Sequence, residues 1–357
     1  MFKSKNSMSR ALVRRETTAG YLFLLPSLFF FVTFVLYPMF LCIYTSFFDS
    51  NMGKNAVDVF VGLGNYKELF RDKLFLGALK NTVIIVVVAV PTVCAFSLWV
   101  ATAIYDMKPA LTSAFRCIFY LPVVTGSVAV TVVWKWMYNN RFGVFNYLFK
   151  SLGIIDQNIN WLGDARFALW CIILILFTTS VGQPIVLYVS ALGNVDHSLV
   201  EAAQVDGANR RQVFWKIKWA QIMPTTLYIL IITTINSFQC FALIQLLTSG
   251  GPTHSTDTIM YYIYYTAFKL YRYGYGNAMG VVLMIIIAVL SAVQFNRTKG
   301  VSVCRANRKQ TASSLLSLSS SSQRSSRSRS TGSLRVPSRP PRRSTPLHLS
   351  GGRASGL

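Results

Sequence analysis

Long apolar stretches separated by shorter polar ones dominate this chain. Six of them, 21–48, 82–105, 117–138, 167–192, 222–247 and 278–295, approach or exceed the ~20 predominantly apolar residues a helix needs to cross the hydrocarbon of a bilayer. The pattern predicts an all-α membrane protein with six transmembrane helices. Lys3, Lys5, Arg10, Arg14 and Arg15 precede the first stretch, as in a secretory signal. Its apolar run is too long for that and no A-x-A-like site follows, so it reads as an uncleaved anchor.

The segments between the spans set an orientation. With the N-terminus inside, segments 1–20, 106–116 and 193–221 are cytoplasmic and carry 11 Lys/Arg in 60 residues, against 10 in 91 for 49–81, 139–166 and 248–277. The denser positive charge favours cytoplasmic N- and C-termini. Trp134, Lys135, Trp136 and Tyr138 close the third span. Lys135 is read as snorkelling to the outer surface beside an aromatic belt, in preference to an intramembrane charge with a transport role.

The outer segments carry turn chemistry: FVGLGNY (60–66), NNRFGVFNYLF (139–149), INWLGD (159–164) and TSGGPTHSTDT (248–258). Together they predict a structured outer surface able to receive a partner or solute. The polar residues within the spans are mostly neutral. Ser180 and Gln183 lie one turn apart in the fourth; Asn236, Ser237, Gln239 and Cys240 fall within a turn and a half in the fifth. Two readings are open, because a buried amide is costly without partners. These groups either bond between helices or line a path for an uncharged, hydroxyl-rich solute, with Phe238 and Phe241 placed to stack on sugar faces.

Residues 198–219, SLVEAAQVDGANRRQVFWKIKW, break the apolar rhythm. Ser198 followed by Glu201 has the spacing of a capping box, which predicts a helix from Leu199. Gly207 suits a helix end. A second helix from about Asn209 carries Arg210, Arg211, Val213, Phe214, Ile217 and Trp219. The result is a cytoplasmic elbow with an apolar and a charged side. It either lies on lipid headgroups or docks into a groove of another protein.

Composition narrows the function classes. The chain is 53% hydrophobic and only 13% charged, where a soluble protein of 357 residues would carry nearer a quarter. Its net charge of +23 divides almost evenly, because residues 301–357 hold eleven Lys/Arg and no acid. The charge is therefore no argument for nucleic-acid binding. Cys42, Cys94, Cys117, Cys171, Cys240 and Cys304 form no C-x-x-C pair and read as buried free thiols. With three histidines and few acids there is no nucleophile–base constellation, no metal-ligand spacing and no G-x-x-x-x-G-K-[ST] loop. These observations predict a membrane protein without a catalytic site or cofactor of its own. An ion-coupled secondary transporter, the alternative, would need titratable groups in its spans; a membrane enzyme or channel ranks third.

EAAQVDGA (201–208) resembles the coupling loop of the membrane subunits of ABC importers, in the branch that takes up sugars and glycerol phosphate with a binding protein. FVGLGNY, KNT (80–82), FYLPVV (119–124), WKWMYN (134–139), INWLGD, INSFQCFALIQLLTSGGP (235–252) and YGYGNAM (273–279) are similar to that branch too, in its order. The resemblance implies the type I ABC importer permease fold over 21–296, after a basic N-terminal segment, 1–20, with the coupling loop at 196–220. It implies a bacterial inner-membrane, multi-pass subunit. Its partners would be a second homologous permease, two ATPase subunits that carry ATP and Mg, and a periplasmic or lipid-anchored solute-binding protein. Glu201, Ala202, Ala203, Asp206 and Gly207 would couple to the ATPase. Ser180, Gln183, Asn236, Ser237, Gln239 and Cys240 would line the path of a neutral mono- or oligosaccharide, or less favourably glycerol 3-phosphate.

Two departures stand out. Where the family runs I-x-L-P, this chain has Ile217, Lys218, Trp219 and Ala220, with Pro224 matching a second common proline. Residues 297–357 exceed the family's usual length, and 301–357 alone hold seventeen serines. Such a tract reads as disordered, and as an extension appended by a frame change near residue 300.

Overall fold

In the computed structural model, residues 3–50 and 58–296 are described. The Ser/Arg-rich tail expected at 297–357 and Cys304 lie outside them. Helices account for every apolar stretch, since a lipid-facing backbone must satisfy its own polar groups.

The first stretch is α1, Glu16–Thr45, which continues a helix begun at Lys3 and contains a π-turn at Val32–Leu36. A two-residue ribbon follows, β1 (Phe48–Asp49) antiparallel to β2 (Val59–Phe60), with Phe48 opposite Phe60. Then come α2 (Gly64–Leu69) and the long α3 (Lys73–Tyr105). α4 (Pro109–Val124) and α5 (Ser127–Met137) precede α6 (Val144–Ser151). α7 (Ala168–Ser180) and α8 (Gly182–Gly193) lead to α9 (His197–Val205). α10 (Arg210–Leu247), α11 (Ile259–Tyr264) and α12 (Tyr273–Asn296) complete the described chain.

Four helices, α1, α3, α10 and α12, are long and apolar enough to cross a membrane; the number rises to six if each bent pair counts as one span. The third predicted stretch, 117–138, is not one straight helix. α4 and α5 meet at 95°. Thr125 and Gly126 are extended, with ψ 128° and 141°, and Pro122 has no N–H for the helix ladder. The Thr125 hydroxyl donates to the Leu121 carbonyl at 2.9 Å. α7 and α8 bend by 40°, and Pro184 cannot donate to the Ser180 carbonyl. The Ser97 hydroxyl of α3 donates across to the Val181 carbonyl at that bend, at 3.3 Å.

α3 is the central pillar. Its Val93, Val100 and Ile104 pack with Ile185, Tyr188 and Leu192 of α8 and with Ile222 and Ile229 of α10. Lipid is as apolar as these side chains, so close fit rather than release of water holds them. Gly182 shows how close the fit is: a Cβ there would run into the Phe119 carbonyl of α4. Of the cysteines expected to be buried, Cys171 and Cys240 are; Cys42 and Cys94 are half-buried, and Cys117 is exposed on the α4 surface.

Polar hubs hold one end of the bundle. Buried Asn65 donates to the carbonyls of Ser46 and Phe48, each at 2.9 Å, and fixes the ribbon to the end of α1. Asp72 caps α3 by accepting from the Leu74 N–H at 2.8 Å. Its other oxygen accepts from the hydroxyls of Tyr262, at 2.7 Å, and Tyr275, at 2.9 Å, which joins α3 to α11 and α12. Arg272 and Glu68 form a bidentate pair at 2.8 Å beside it. Asn277 of α12 donates to Thr45 of α1 at 2.7 Å. Asn146 donates to the carbonyls of Asn140 and Ile159 and accepts from the Trp161 indole at 2.9 Å. The motifs read as a receiving surface thus first serve their own fold.

Two measurements test these hubs. Asn65→Ala leaves two carbonyls without donors and should cost about 1–3 kcal/mol, read as a lower thermal midpoint in detergent than for the wild type. Burial pushes the Asp72 carboxyl up, but the Tyr262 and Tyr275 hydroxyls and the N–H groups of Leu74 and Phe75 outweigh it, and the net shift is downward. A carboxyl lowered on folding stabilises above its unfolded pKa, about 3.9, and that stability is lost as pH falls through the lower folded value. Asp72→Asn should flatten the acid limb of the thermal midpoint against pH; an unchanged limb counts against the hub.

Candidate functional site

Two regions carry the predicted site residues. The first is the elbow between α8 and α10. α9 begins two residues earlier than the sequence suggested, because its cap is Asp196, not Ser198. The Asp196 carboxylate accepts from the Ser198 N–H at 3.0 Å and from the Ser198 hydroxyl at 2.7 Å. Ser198 is thereby drawn back as a donor, and Glu201 is left free of the predicted capping box. The capping box sits instead on the second arm, where Asn209 and Gln212 exchange bonds at 2.9 and 3.0 Å.

Between the arms, Gly207 adopts φ +80°, the left-handed conformation that ends a helix. The Ala208 N–H donates to the Ala203 carbonyl at 2.9 Å and the Gly207 N–H to the Gln204 carbonyl at 3.0 Å. This is the Schellman arrangement, and it spends the last carbonyls of α9 on its own turn. Glu201, Ala202, Val205, Asp206 and Gly207 are exposed, Ala203 is half-buried, and no residue of α9 is buried. Only Val200 of α9 packs on the core, so the face with Glu201, Ala202 and Val205 is left open.

The second arm is the start of α10 and leads through a π-turn, Phe214–Lys218, into the rest of that helix. With alanine at 220 instead of the family's proline, the helix runs on through Trp219–Phe238. Val213 is buried and Trp219 packs among Val195, Leu192 and Ile222, so the exit is fixed by packing where a proline is absent.

The second region is a cavity of about 140 Å³ between α8 and α10, at the α7–α8 bend. Ser180, Gln183 and Asn236 line it together, as do Thr179, Thr233 and Tyr228, which the sequence reading missed. Their signal was weak because threonine and tyrosine are unremarkable in apolar spans. The rest of the wall is aliphatic or proline, and no Asp, Glu, Lys, Arg or His contributes to it.

The other predicted path residues lie elsewhere. Gln239 is exposed at the point where α10 loses its helical pattern. Ser237 and Cys240 are buried, at 2% and 6% exposure. Cys240 packs with Tyr138, Cys171 and Tyr261, and its carbonyl accepts from the Thr258 hydroxyl at 2.8 Å. Phe238, expected to stack on sugar, is buried against Phe75 and Tyr262 instead. Phe241 is half-buried, its ring 4.9 Å from Tyr264. The helical period puts 236 and 237 on different faces, and only α3 and α11 decide which face is inside. Among the described residues, no three His, Cys, Asp or Glu side chains converge so as to hold a metal ion.

A bundle of bent apolar helices, a neutral cavity at its breaks and an exposed charged elbow describe a membrane protein of the permease class. The chain belongs to the family of binding-protein-dependent transport system inner membrane components, whose model matches residues 59–297. It is a permease of the sugar ABC importers. It is 33% identical over 287 residues to the probable ABC transporter permease protein YesP of Bacillus subtilis, covering 79% of this chain and 91% of that one. It is 32% identical over 288 residues to the lactose transport system permease protein LacF of Rhizobium radiobacter, covering 80% and 95%. It is also 29% identical over 279 residues to the sn-glycerol-3-phosphate transport system permease protein UgpA of Agrobacterium fabrum, covering 77% and 92%. In fold it resembles a chain of a bacterial alginate ABC transporter solved with an alginate pentasaccharide-bound periplasmic protein, with a TM-score of 0.69, 24% identity, and coverage of 78% and 93%.

Nothing crowds a Cβ at Gly207, so Gly207→Ala should cost only the left-handed backbone strain, about 1–2 kcal/mol. Amide exchange at residue 208, whose N–H closes the turn, should quicken roughly tenfold or more, while α3 amides stay unchanged.

Proposed function

We propose that this chain forms one wall of the path for a neutral, hydroxyl-rich solute, a mono- or oligosaccharide, and that its elbow takes the thrust of an ATPase on another chain. The observation that carries the solute class is the cavity wall: amides and hydroxyls from Ser180, Gln183, Asn236, Thr179, Thr233 and Tyr228, with no charged side chain. A phosphorylated solute would call for Arg or Lys, the usual partners of phosphate oxygens. A volume of about 140 Å³ holds about five waters. A pyranose needs the helices to part, or a second permease to supply the opposite wall.

The same reading assigns Glu201, Ala202, Ala203, Asp206 and Gly207 to the ATPase contact, since α9 leaves them without partners in this chain. Ser237, Gln239 and Cys240 lie outside the cavity lining and are given no contact with the solute in this reading. ATP and Mg belong to the two ATPase subunits; this chain contributes no catalytic group. A solute-binding protein would deliver sugar to the end of the bundle held by the Asn65 and Asp72 hubs. The elbow end is cytoplasmic in this reading: α3 and α8 both finish there, beside four Lys/Arg in 193–221.

The assembled importer, reconstituted in proteoliposomes with its binding protein, tests both halves. Gln183→Leu with Asn236→Leu should lower sugar uptake tenfold or more and leave the ATPase bound. Glu201→Ala should instead release the ATPase on pull-down. Uptake of glycerol 3-phosphate but of no neutral sugar would overturn the solute class; uptake and complex both unchanged by Glu201→Ala would refute the coupling role.

A further inference from the structure

A second and larger cavity, about 490 Å³, lies between the elbow and the ends of α3 and α8. Its floor is apolar and includes Leu192, Val195 and Phe214. Its charged and ionisable lining is Asp106 from the end of α3, and His197, Arg210 and Lys218 from the elbow. Two permanent cations thus face a single acid. Neither cation has a carboxylate within ion-pair distance: the ion pairs among the described residues are Arg166–Asp164, His254–Asp257 and Arg272–Glu68. Lys218 is half-buried, with its ammonium 5.3 Å from the centre of the Tyr105 ring. Glu201 and Asp206, on the docking side of the elbow, do not line this cavity.

Its depth in the membrane can be read from its neighbours. It opens where two apolar helices finish, at Tyr105 and Gly193, and where a third begins. Trp215 is 59% exposed beside it, and its ring lies 5.6 Å from that of Trp219. Tryptophans and lysines at helix ends mark the headgroup level of a bilayer. A cavity there with an apolar floor and unpaired cations matches a molecule with an acyl or glycerol body and an anionic head. Basic pockets between spans hold lipid headgroups for this reason.

We propose that this cavity is a phosphate site, filled by the phosphodiester headgroup of an anionic membrane lipid. Arg210 donates its planar fork to the phosphate oxygens. Lys218 adds a second charge from its ammonium, which lies over the Tyr105 ring. The glycerol backbone rests on Leu192, Val195 and Phe214. A lipid there wedges between the elbow and the ends of α3 and α8. This goes beyond the sugar path and the ATPase contact, and neither needs to hold for it.

Native mass spectrometry of the full chain, released from nanodiscs with equal phosphatidylglycerol and phosphatidylcholine, provides the test. The wild type should retain phosphatidylglycerol at least tenfold over phosphatidylcholine. Arg210→Gln with Lys218→Gln should abolish the preference, and Arg210→Lys with Lys218→Arg should restore most of it. Asp106→Asn, which removes the opposing acid, should strengthen it; this opposite sign separates a site from mere misfolding. Release of the lipid by millimolar inorganic phosphate would support the phosphate site but assign it to a soluble anion. Equal retention of both lipids by the wild type, or a preference that survives the double glutamine variant, would overturn the proposal.

Discussion

A helix that breaks inside hydrocarbon exposes carbonyls that no water takes up, and each must find a donor from the protein. This chain breaks its apolar stretches at Thr125–Gly126, at Val181 and at Gln239–Phe241, and a hydroxyl bonds a carbonyl beside each break: at Cys240 it is the donor, while at Leu121 and Val181 it adds to the N–H groups of Thr125 and Ile185. Thr125 serves Leu121, Ser97 serves Val181, and Thr258 serves Cys240. Much of the arrangement follows from these three bonds. The second binds the central pillar α3 to the α7–α8 bend. The third ties the long loop after α10 to the end of its regular helix.

The neutral cavity lies between two of these breaks, and the physical reason is the same. Where the ladder is interrupted, side chains leave the close aliphatic packing and amides can meet open space. Gln183 and Asn236 are tolerated in the spans because they face that space. Ser237, one residue further, faces packed protein, and the same neighbourhood in sequence divides into wall and core. A path built from uncharged groups costs less to bury than a charged one, which suits a solute that offers hydroxyls.

At the other end of the bundle, charge is concentrated in an elbow stabilised almost wholly by its own local bonds: the Asp196 cap, the Gly207 turn and the Asn209–Gln212 box. A piece that folds locally and packs lightly can be pushed as a unit. Through the π-turn, buried Val213 and half-buried Trp219 connect this elbow to the packed spans. The cationic cavity behind the elbow is where its motion would meet the membrane surface.

The sequence by itself determined the apolar stretches, the neutral character of their polar residues, the elbow and the glycine that turns it. All of these rest on interactions within a few residues, on hydropathy, and on a backbone conformation only glycine adopts easily. It also carried the family, since motifs spread over the whole permease keep their order. Tertiary structure decided the rest. The 95° bend was invisible because hydropathy averages smoothly across Thr125 and Gly126. Asp196 displaced Ser198 as the cap because a carboxylate two residues earlier reached both of its donors. Asn65 and Asn146 of the loop motifs became hubs by bonding across neighbouring loops, and Asp72, outside the motifs, by meeting Tyr262 and Tyr275 far along the chain. Whether 183, 236, 237 and 240 meet space or packing depended on which neighbours α3, α8 and α11 set against them. That is a fact of long-range contact, and no local pattern contains it.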